Sequence, residues 1–222
     1  MKKVFILLAI ITLSFNSYSQ LGSSYMQFNA FNGFGFESQT ISFYTPGGSS
    51  SEISYNPGGG FGLQVEFGHY LGRRVSIGLN ISNAQVLGLQ YQKVNDVSNK
   101  SSFSFSRTTF SPKIDVDVYQ NKRSKLENIS IGVAMSYAKP GALKRLENMQ
   151  RLQTIYYKSD LGFTFNTFAT IDFFKNKKLK SVIGFSGRLL DFEANKTLIE
   201  ETELQKVSGS GIDIIVGLRK TF

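Results

Sequence analysis

Apolar and polar residues alternate along most of the chain from residue 23 onward. In Gly58–Leu71, apolar residues occupy positions 61, 63, 65, 67 and 71, and Gly, Gln, Glu, Gly and Tyr stand on the other parity. A period of two is typical of a β-strand with one apolar and one polar face. The pattern recurs and predicts eight strands: Ser24–Tyr44, Gly58–Leu71, Arg74–Gln92, Ser102–Gln120, Glu127–Tyr137, Thr154–Phe174, Ser181–Phe192 and Ile212–Phe222.

Two irregularities interrupt this alternation. The parity of the apolar residues changes between Phe36 and Ile41, and it changes again near Pro112. A change of parity beside a proline predicts a β-bulge there, or the end of the membrane-embedded part of that strand.

The connections between the predicted strands are alternately long and short. The long ones are residues 45–57, 93–101, 138–153 and 193–206, and the short ones are residues 71–74, 120–126 and 175–180. Long extracellular loops alternating with short periplasmic turns are typical of outer-membrane barrels. In the third long connection, Leu143, Leu146, Met149 and Leu152 recur every third residue after Pro140. This spacing predicts a short helix, which either covers the barrel mouth or inserts among lipid headgroups.

The first 20 residues have the organisation of a secretory signal peptide. Lys2 and Lys3 precede an apolar run, Val4–Leu13, and small residues stand at Ser17 and Ser19. We expect cleavage after Ser19, which divides the chain into a signal peptide of residues 1–19 and a barrel domain of residues 20–222. The alternative is a core helix of the mature domain. The apolar run is too short to span a bilayer, so an exported chain of this kind enters a membrane as a β-barrel.

The two faces of the predicted strands indicate which side meets lipid. One parity is nearly all Phe, Leu, Ile and Val, and the other is rich in Gly, Ser, Asn and Thr, as a narrow lumen requires. A soluble β-sandwich or a lipocalin-like barrel, the alternative, would place many Lys and Glu residues outward. We therefore predict an all-β fold: a monomeric, eight-stranded, antiparallel, up-and-down transmembrane β-barrel in the bacterial outer membrane, with a lumen filled by side chains.

Two stretches carry a resemblance to known proteins. The last strand ends on Phe222, and this resembles the carboxy-terminal assembly signal of outer-membrane barrels, which the barrel-assembly machinery binds. The chain as a whole resembles small outer-membrane barrels and is most similar to the porin-like, PorT-type barrels of Bacteroidetes, through GGGFGLQVEFGHYLGRRVSIGLNIS at Gly58–Ser82. The resemblance implies the fold. PorT is linked to type IX secretion, and no residue here singles out that role.

Composition and charge narrow the candidate chemistry. The chain has no cysteine, which excludes disulfides, thiolate metal sites, a cysteine nucleophile and a lipoprotein anchor. The net charge is +9, and the basic residues gather in the three short turns: Arg73, Arg74, Lys122, Arg123, Lys125, Lys175, Lys177, Lys178 and Lys180. Aromatic residues are not interleaved with them, so nucleic acid is not an expected partner. The turns lie beside anionic lipid headgroups, or they dock an acidic periplasmic or other envelope partner.

Charged residues also occur on the polar, inward parity. Glu66, Asp115, Asp117, Asp172 and Arg219 fall near the periplasmic strand ends, and Arg188 and Asp213 fall nearer mid-height. Buried charges require partners, so we expect a carboxylate cluster around Arg219 and a pair between Arg188 and Asp213. We interpret this set as a structural charge network that fills the lumen. The alternative is a narrow path for ions or protons.

His69 is the only histidine, and its parity places it outward, near a periplasmic turn. We interpret it as an interfacial residue beside Tyr70. The alternative is the catalytic base of a lipid-modifying enzyme, but Leu71 stands where such a site would have its serine. A single histidine also argues against a multi-histidine metal site. We therefore predict no enzymatic activity, no cofactor and no metal, and a structural or partner-binding role. The alternatives are a narrow pore or transporter for ions or small solutes, and a lipid-modifying enzyme.

Overall fold

The computed structural model describes residues 22–44, 50–94, 97–121, 123–147, 150–173, 178–195 and 206–222. The predicted signal peptide lies outside these residues, as do Lys122, Lys175 and Lys177 of the short turns. The described chain forms 14 strands: β1 (Ser24–Gly35), β2 (Gln39–Tyr44), β3 (Ser50–Tyr55), β4 (Gly60–Tyr70), β5 (Val75–Val94), β6 (Val97–Gln120), β7 (Leu126–Pro140), β8 (Leu143–Glu147), β9 (Gln150–Ile155), β10 (Asp160–Ile171), β11 (Leu179–Leu189), β12 (Asp191–Glu193), β13 (Lys206–Ser208) and β14 (Gly211–Thr221).

Eight of these strands close into a barrel. Their order is β5-β4-β1-β14-β11-β10-β7-β6, and β5 also pairs with β6, so the sheet returns on itself. Every one of these pairs is antiparallel. The predicted eight-stranded antiparallel barrel is thereby confirmed. Closure leaves no free edge among the eight strands, which is what allows a sheet to exist in lipid.

The two ends of the barrel differ. Tyr25, near the start of β1, pairs with Thr221 at the end of β14, so the first and last strands meet at the end that also carries residues 71–74, 123–125 and 172–173. We call this the turn end and the opposite one the loop end. None of the helices among the described residues has the length and apolar character needed to cross a membrane.

The outward face of the barrel is an apolar band. Burial alternates residue by residue along the strands, and the exposed positions are the large apolar ones. Buried polar residues face inward between them. Members of the band on six of the strands are Phe28, Phe34, Phe61, Leu63, Phe67, Ile114, Val116, Val118, Ile131, Val133, Met135, Phe163, Phe165, Ile214, Val216 and Leu218. The inverted arrangement, with apolar residues out and polar residues in, fits a hydrocarbon surrounding.

Of the two explanations predicted for the change of parity near Pro112, the β-bulge is wrong. Strand β6 pairs with β5 in one register through Pro112, which lies opposite Leu79. The register shift in β6 occurs instead between Asp117 and Tyr119, opposite β7. The sequence pattern changes at Pro112 because Phe103 and Phe105 are 8% and 1% exposed and face inward. Above the membrane band the interior becomes apolar, so the apolar residues change faces while the strand continues.

The helix predicted in the third long connection is also wrong. Strands β8 and β9 form an antiparallel hairpin there, and β8 pairs with the upper part of β6, with Lys144 opposite Ser104. The long β5–β6 hairpin rises beyond β7 and leaves backbone donors and acceptors of β6 without a partner. The hairpin supplies those partners. A second hairpin, β2–β3, extends into the first predicted loop.

An apolar cluster closes the loop end, and we call it the loop-end cluster. Phe105 is its centre: its ring lies 5.8 Å from that of Tyr157 and 6.0 Å from that of Phe192. Strands β8, β9, β12 and β13 all contribute to it. Its members are Val86, Phe103, Phe105, Ala138, Leu143, Ile155, Tyr157, Leu190, Phe192, Ala194 and Val207.

Candidate functional site

A second apolar layer crosses the lumen, and we call it the lumen septum. It consists of Phe31, Ala84, Phe168, Val182 and Ile215, which are all buried and come from five different strands. Two glycines make room for its rings. A Cβ at Gly62 would lie 2.5 Å from the Phe31 ring, and a Cβ at Gly184 would lie 2.4 Å from the Phe168 ring. Interlocked large and small residues of this kind fill the interior of a small barrel.

The charges on the turn-end side of the septum are organised by Lys113. Its Nζ lies 2.8 Å from Glu66 Oε1 and 2.9 Å from Asp115 Oδ2, and the hydroxyl of Tyr25 donates to the same Glu66 oxygen at 2.8 Å. All four side chains are buried. The lysine also lies 4.8 Å from the centre of the Phe168 ring, directly against the septum. One cation thus compensates two carboxylates that have left water.

Arg219 is held differently from the expectation of a carboxylate cluster around it. Its Nε donates to Gln27 Oε1 at 2.7 Å, its Nη1 donates to the Tyr70 hydroxyl at 3.3 Å, and its guanidinium lies 4.2 Å from the centre of the Tyr25 ring. No carboxylate of the described residues forms an ion pair with it within 4.0 Å. The carboxylates gather instead on Lys113, which shares the inward parity of Asp115 and Asp117 but is absent from the predicted charge network.

A second ion-pair group lies at the turn-end mouth. Lys180 Nζ is 2.7 Å from Glu127 Oε1 and 3.2 Å from Asp172 Oδ2. Lys180 was predicted to lie in one of the short basic turns, but it belongs to β11. Its side chain points inward there and is 7% exposed. Asp117 accepts a hydrogen bond from Gln120 Nε2 at 2.7 Å. Lys180, Glu127, Asp117 and Gln120 line an open cavity of about 650 Å³.

Arg188 and Asp213 form an ion pair between β11 and β14. The pair lies at the loop end rather than near mid-height, because Arg188 Nη2 also donates to the carbonyl of Gly58 at 2.6 Å. Arg107 reaches the same connection, since its Nη1 donates to the carbonyl of Pro57 at 3.1 Å. Two buried arginines therefore hold residues 57–58 inward over the lumen. The inward side chains of β6 are the odd-numbered ones from Phe103 to Asp117. Arg107 belongs to this series, so the series predicts that its side chain faces the lumen.

His69 lies on the outward face at the turn end, and it is partly exposed. Its Nδ1 is 3.0 Å from the hydroxyl of Ser24, which stands directly opposite on β1. The sequence comparison concerned position 71, two residues after His69 on the same strand. Ser24 lies on the neighbouring strand, so its proximity to His69 depends on strand pairing. Within the described part of the chain, no group of three or more His, Asp or Glu side chains could hold a metal ion.

Phe222 lies just beyond β14 and is 64% exposed. Its backbone N–H donates to the carbonyl of Ser24 at 2.9 Å, which extends the pairing between the first and last strands to the final residue. The side chain is therefore displayed on the outside of the seam that closes the barrel.

The fold has counterparts among solved outer-membrane proteins. The chain is similar to outer membrane protein OprG of Pseudomonas aeruginosa, with a TM-score of 0.56 and 8% identity over 90% of this chain and 96% of that one. It is also similar to Neisserial surface protein A, with a TM-score of 0.50 and 11% identity over 90% of this chain and 99% of that one. No protein-family profile matches the chain, and no curated protein matches it by sequence. At these identities the similarity shows a fold: the chain has the architecture of the small barrel proteins of Gram-negative outer membranes.

Proposed function

We propose that the chain is an outer-membrane barrel with a closed lumen and a structural or partner-binding role in the cell envelope. The turn end, with both strand termini, faces the periplasm, and the loop end faces the exterior. The proposal assigns no catalytic activity to the chain. A relationship to the porin-like, PorT-type barrels, based on the resemblance of Gly58–Ser82, is also part of this proposal.

The observation that carries the proposal is the lumen septum. Phe31 and Phe168 are 6% and 1% exposed, and Ile215 is 0% exposed. The septum stands between the Lys113 network and the Arg188–Asp213 pair, and the loop-end cluster adds a second apolar layer further out. Moving an ion across such layers requires its desolvation, which costs several kcal/mol or more. The alternative function is that of a narrow pore for ions or small solutes.

Conductance in planar bilayers tests the closed lumen. We expect the purified barrel to give no discrete single-channel steps. A variant with Phe31→Ala and Phe168→Ala in the septum and Phe105→Ala and Phe192→Ala in the loop-end cluster should give small steps, because it removes rings from both apolar layers. The matched control is Phe28→Ala/Phe165→Ala, which truncates two rings of the same strands that face lipid. Single-channel conductance steps from the unmodified barrel would contradict the closed lumen and indicate that the protein is a pore.

The partner in this proposal is an acidic periplasmic protein. Every exposed charged residue described at the turn end is basic: Arg73, Arg74, Arg123, Lys125, Lys178 and Lys220. The nearby carboxylates, Glu127 and Asp172, are engaged by Lys180. An exposed basic rim attracts a surface of opposite charge and guides its approach.

A further inference from the structure

A notch in the outer wall of the barrel lies at the loop end, and we call it the wall notch. Its lining includes Gln85, Ser104, Ser106, Ala142, Lys144 and Tyr156, and its volume is about 570 Å³. This volume falls within the roughly 300–1,000 Å³ of small-molecule sites in proteins.

The notch exists because β6 changes partners. It pairs with β7 as far as Arg107 opposite Pro140, and it pairs with β8 from Ser104 opposite Lys144. Gly141 and Ala142 connect the end of β7 to the start of β8. The N–H of Gly141 donates to the carbonyl of Ser106 at 2.7 Å. A Cβ at Gly141 would lie 2.1 Å from Ser106 Oγ, so a larger residue there would displace the Ser106 hydroxyl.

The height of the notch places it at the level of lipid headgroups. The outward rings of Phe110 and Tyr137 stand side by side on β6 and β7, as in the aromatic girdle at a membrane surface. The next outward pair toward the loop end is polar, since Asn83 Nδ2 donates to Thr108 Oγ1 at 2.9 Å. Ser106 follows on the same face, four residues beyond Phe110. At about 3.3 Å per residue and a strand tilt of roughly 40°, this is about 10 Å above the girdle.

The chemistry of the lining is that of a phosphorylated sugar site. The side chains of Ser104, Ser106 and Gln85 offer hydroxyl and amide groups that can donate to and accept from sugar hydroxyls. Tyr156 is 43% exposed and offers a ring face and a phenol. Lys144 is exposed at the rim, and no carboxylate whose side chain is described pairs with it. A lysine ammonium is a point charge suited to phosphate.

From the place and the lining together, we propose that the wall notch binds the phosphorylated saccharide headgroup of an outer-leaflet glycolipid. The acyl chains of the lipid would lie along the apolar band below, and the headgroup phosphate would meet Lys144. This site rests on the proposed orientation, in which the loop end faces the exterior, but it does not depend on the closed lumen or on the basic rim at the opposite end.

Native mass spectrometry of the full chain in mild detergent tests the site, with diphosphoryl lipid A as the probe. Lys144→Gln should lower the fraction of barrel that retains the lipid about fivefold, as expected for one lysine beside an anionic headgroup. It should leave retention of a dephosphorylated lipid A unchanged. Tyr156→Ala should lower retention of both lipids, and Ala142→Phe should abolish it by filling the notch.

Lys125→Gln is the matched control, because it removes the same charge at the turn end, and it should retain both lipids. Heat-modifiable migration on a gel confirms that each variant is folded. Equal retention by all variants would overturn the proposal, as would an equal loss in Lys125→Gln. Full displacement of the lipid by millimolar inorganic phosphate would assign the notch to free phosphate and overturn the glycolipid assignment.

Discussion

At the scale of single residues, Lys113 is the most consequential charge in the molecule. It is 3% exposed and contacts Glu66 and Asp115, and both of these carboxylates are buried as well. Removing one member of a buried ion pair costs more than the pair itself contributes, because the remaining charge is left in a poorly solvating interior. Here a single cation compensates two such charges.

Lys113→Met should therefore lower the free energy of unfolding by about 3–5 kcal/mol. Urea titration of the barrel in lipid vesicles, followed by circular dichroism, measures the change. The triple variant Glu66→Gln/Lys113→Met/Asp115→Asn should recover most of the loss, since it removes the three charges of this network together. Lys125→Met, an exposed control, should change stability by less than about 0.5 kcal/mol. A Lys113→Met value as small as the control would refute the network.

At the scale of elements, the hairpin of β8 and β9 is an addition to the barrel. It pairs with β6 above the point where β7 ends, and Leu143 anchors it in the loop-end cluster at 4% exposure. Leu143 and Ile155, its described members of that cluster, share it with other loop-end residues, and neither belongs to the septum. Elements that depend on one local cluster open with less than the global free energy.

Leu143→Ala should destabilise this hairpin by about 2–5 kcal/mol, through lost burial and the cavity left behind. Limited proteolysis should then cut within β8 and β9 at a higher rate, while the barrel strands stay protected. Leu87→Ala is the control, because Leu87 is 61% exposed on the outer face. Unchanged cleavage in Leu143→Ala would show that the hairpin does not depend on the cluster.

At the scale of the whole molecule, charge is distributed unevenly between the two ends. The exposed charges described at the turn end are all basic, whereas the loop end carries both signs: Lys206 Nζ lies 2.8 Å from Asp191 Oδ2 across the β12–β13 hairpin. The hydrogen bond and charge of Asp191 raise the pKa of Lys206. That interaction is present below the ordinary lysine pKa and is lost only as pH rises through the raised value, so it persists at neutral pH.

Reversing the rim charges tests what the turn end binds. A photo-crosslinking residue at Ser124 should yield a discrete protein adduct in cells. The adduct should disappear in Arg73→Glu/Arg74→Glu/Arg123→Glu/Lys125→Glu, because the reversed rim repels an acidic surface. A reversal of four loop-end lysines, Lys139, Lys144, Lys158 and Lys206, should leave it unchanged. Adducts with phospholipid alone would assign the rim to the membrane surface instead.

The sequence predicts the faces of this barrel well and its interior pairing poorly. A period of two identifies which side chains point inward, because that depends only on the local backbone. Which inward side chains meet depends on how the strands are staggered around the barrel. Lys113, on β6, reaches Glu66 on β4, two strands away. Likewise, the spacing of leucines after Pro140 is compatible with a helix. The segment forms a hairpin because β8 pairs with the part of β6 that extends beyond β7.

The septum has a consequence for how the protein can change over time. Because Phe31, Phe168 and Ile215 separate the turn-end charges from the loop end, substitutions on one side of this layer do not disturb contacts on the other. The loop-end hairpins can therefore accept substitutions without disturbing the Lys113 network or the basic rim at the turn end.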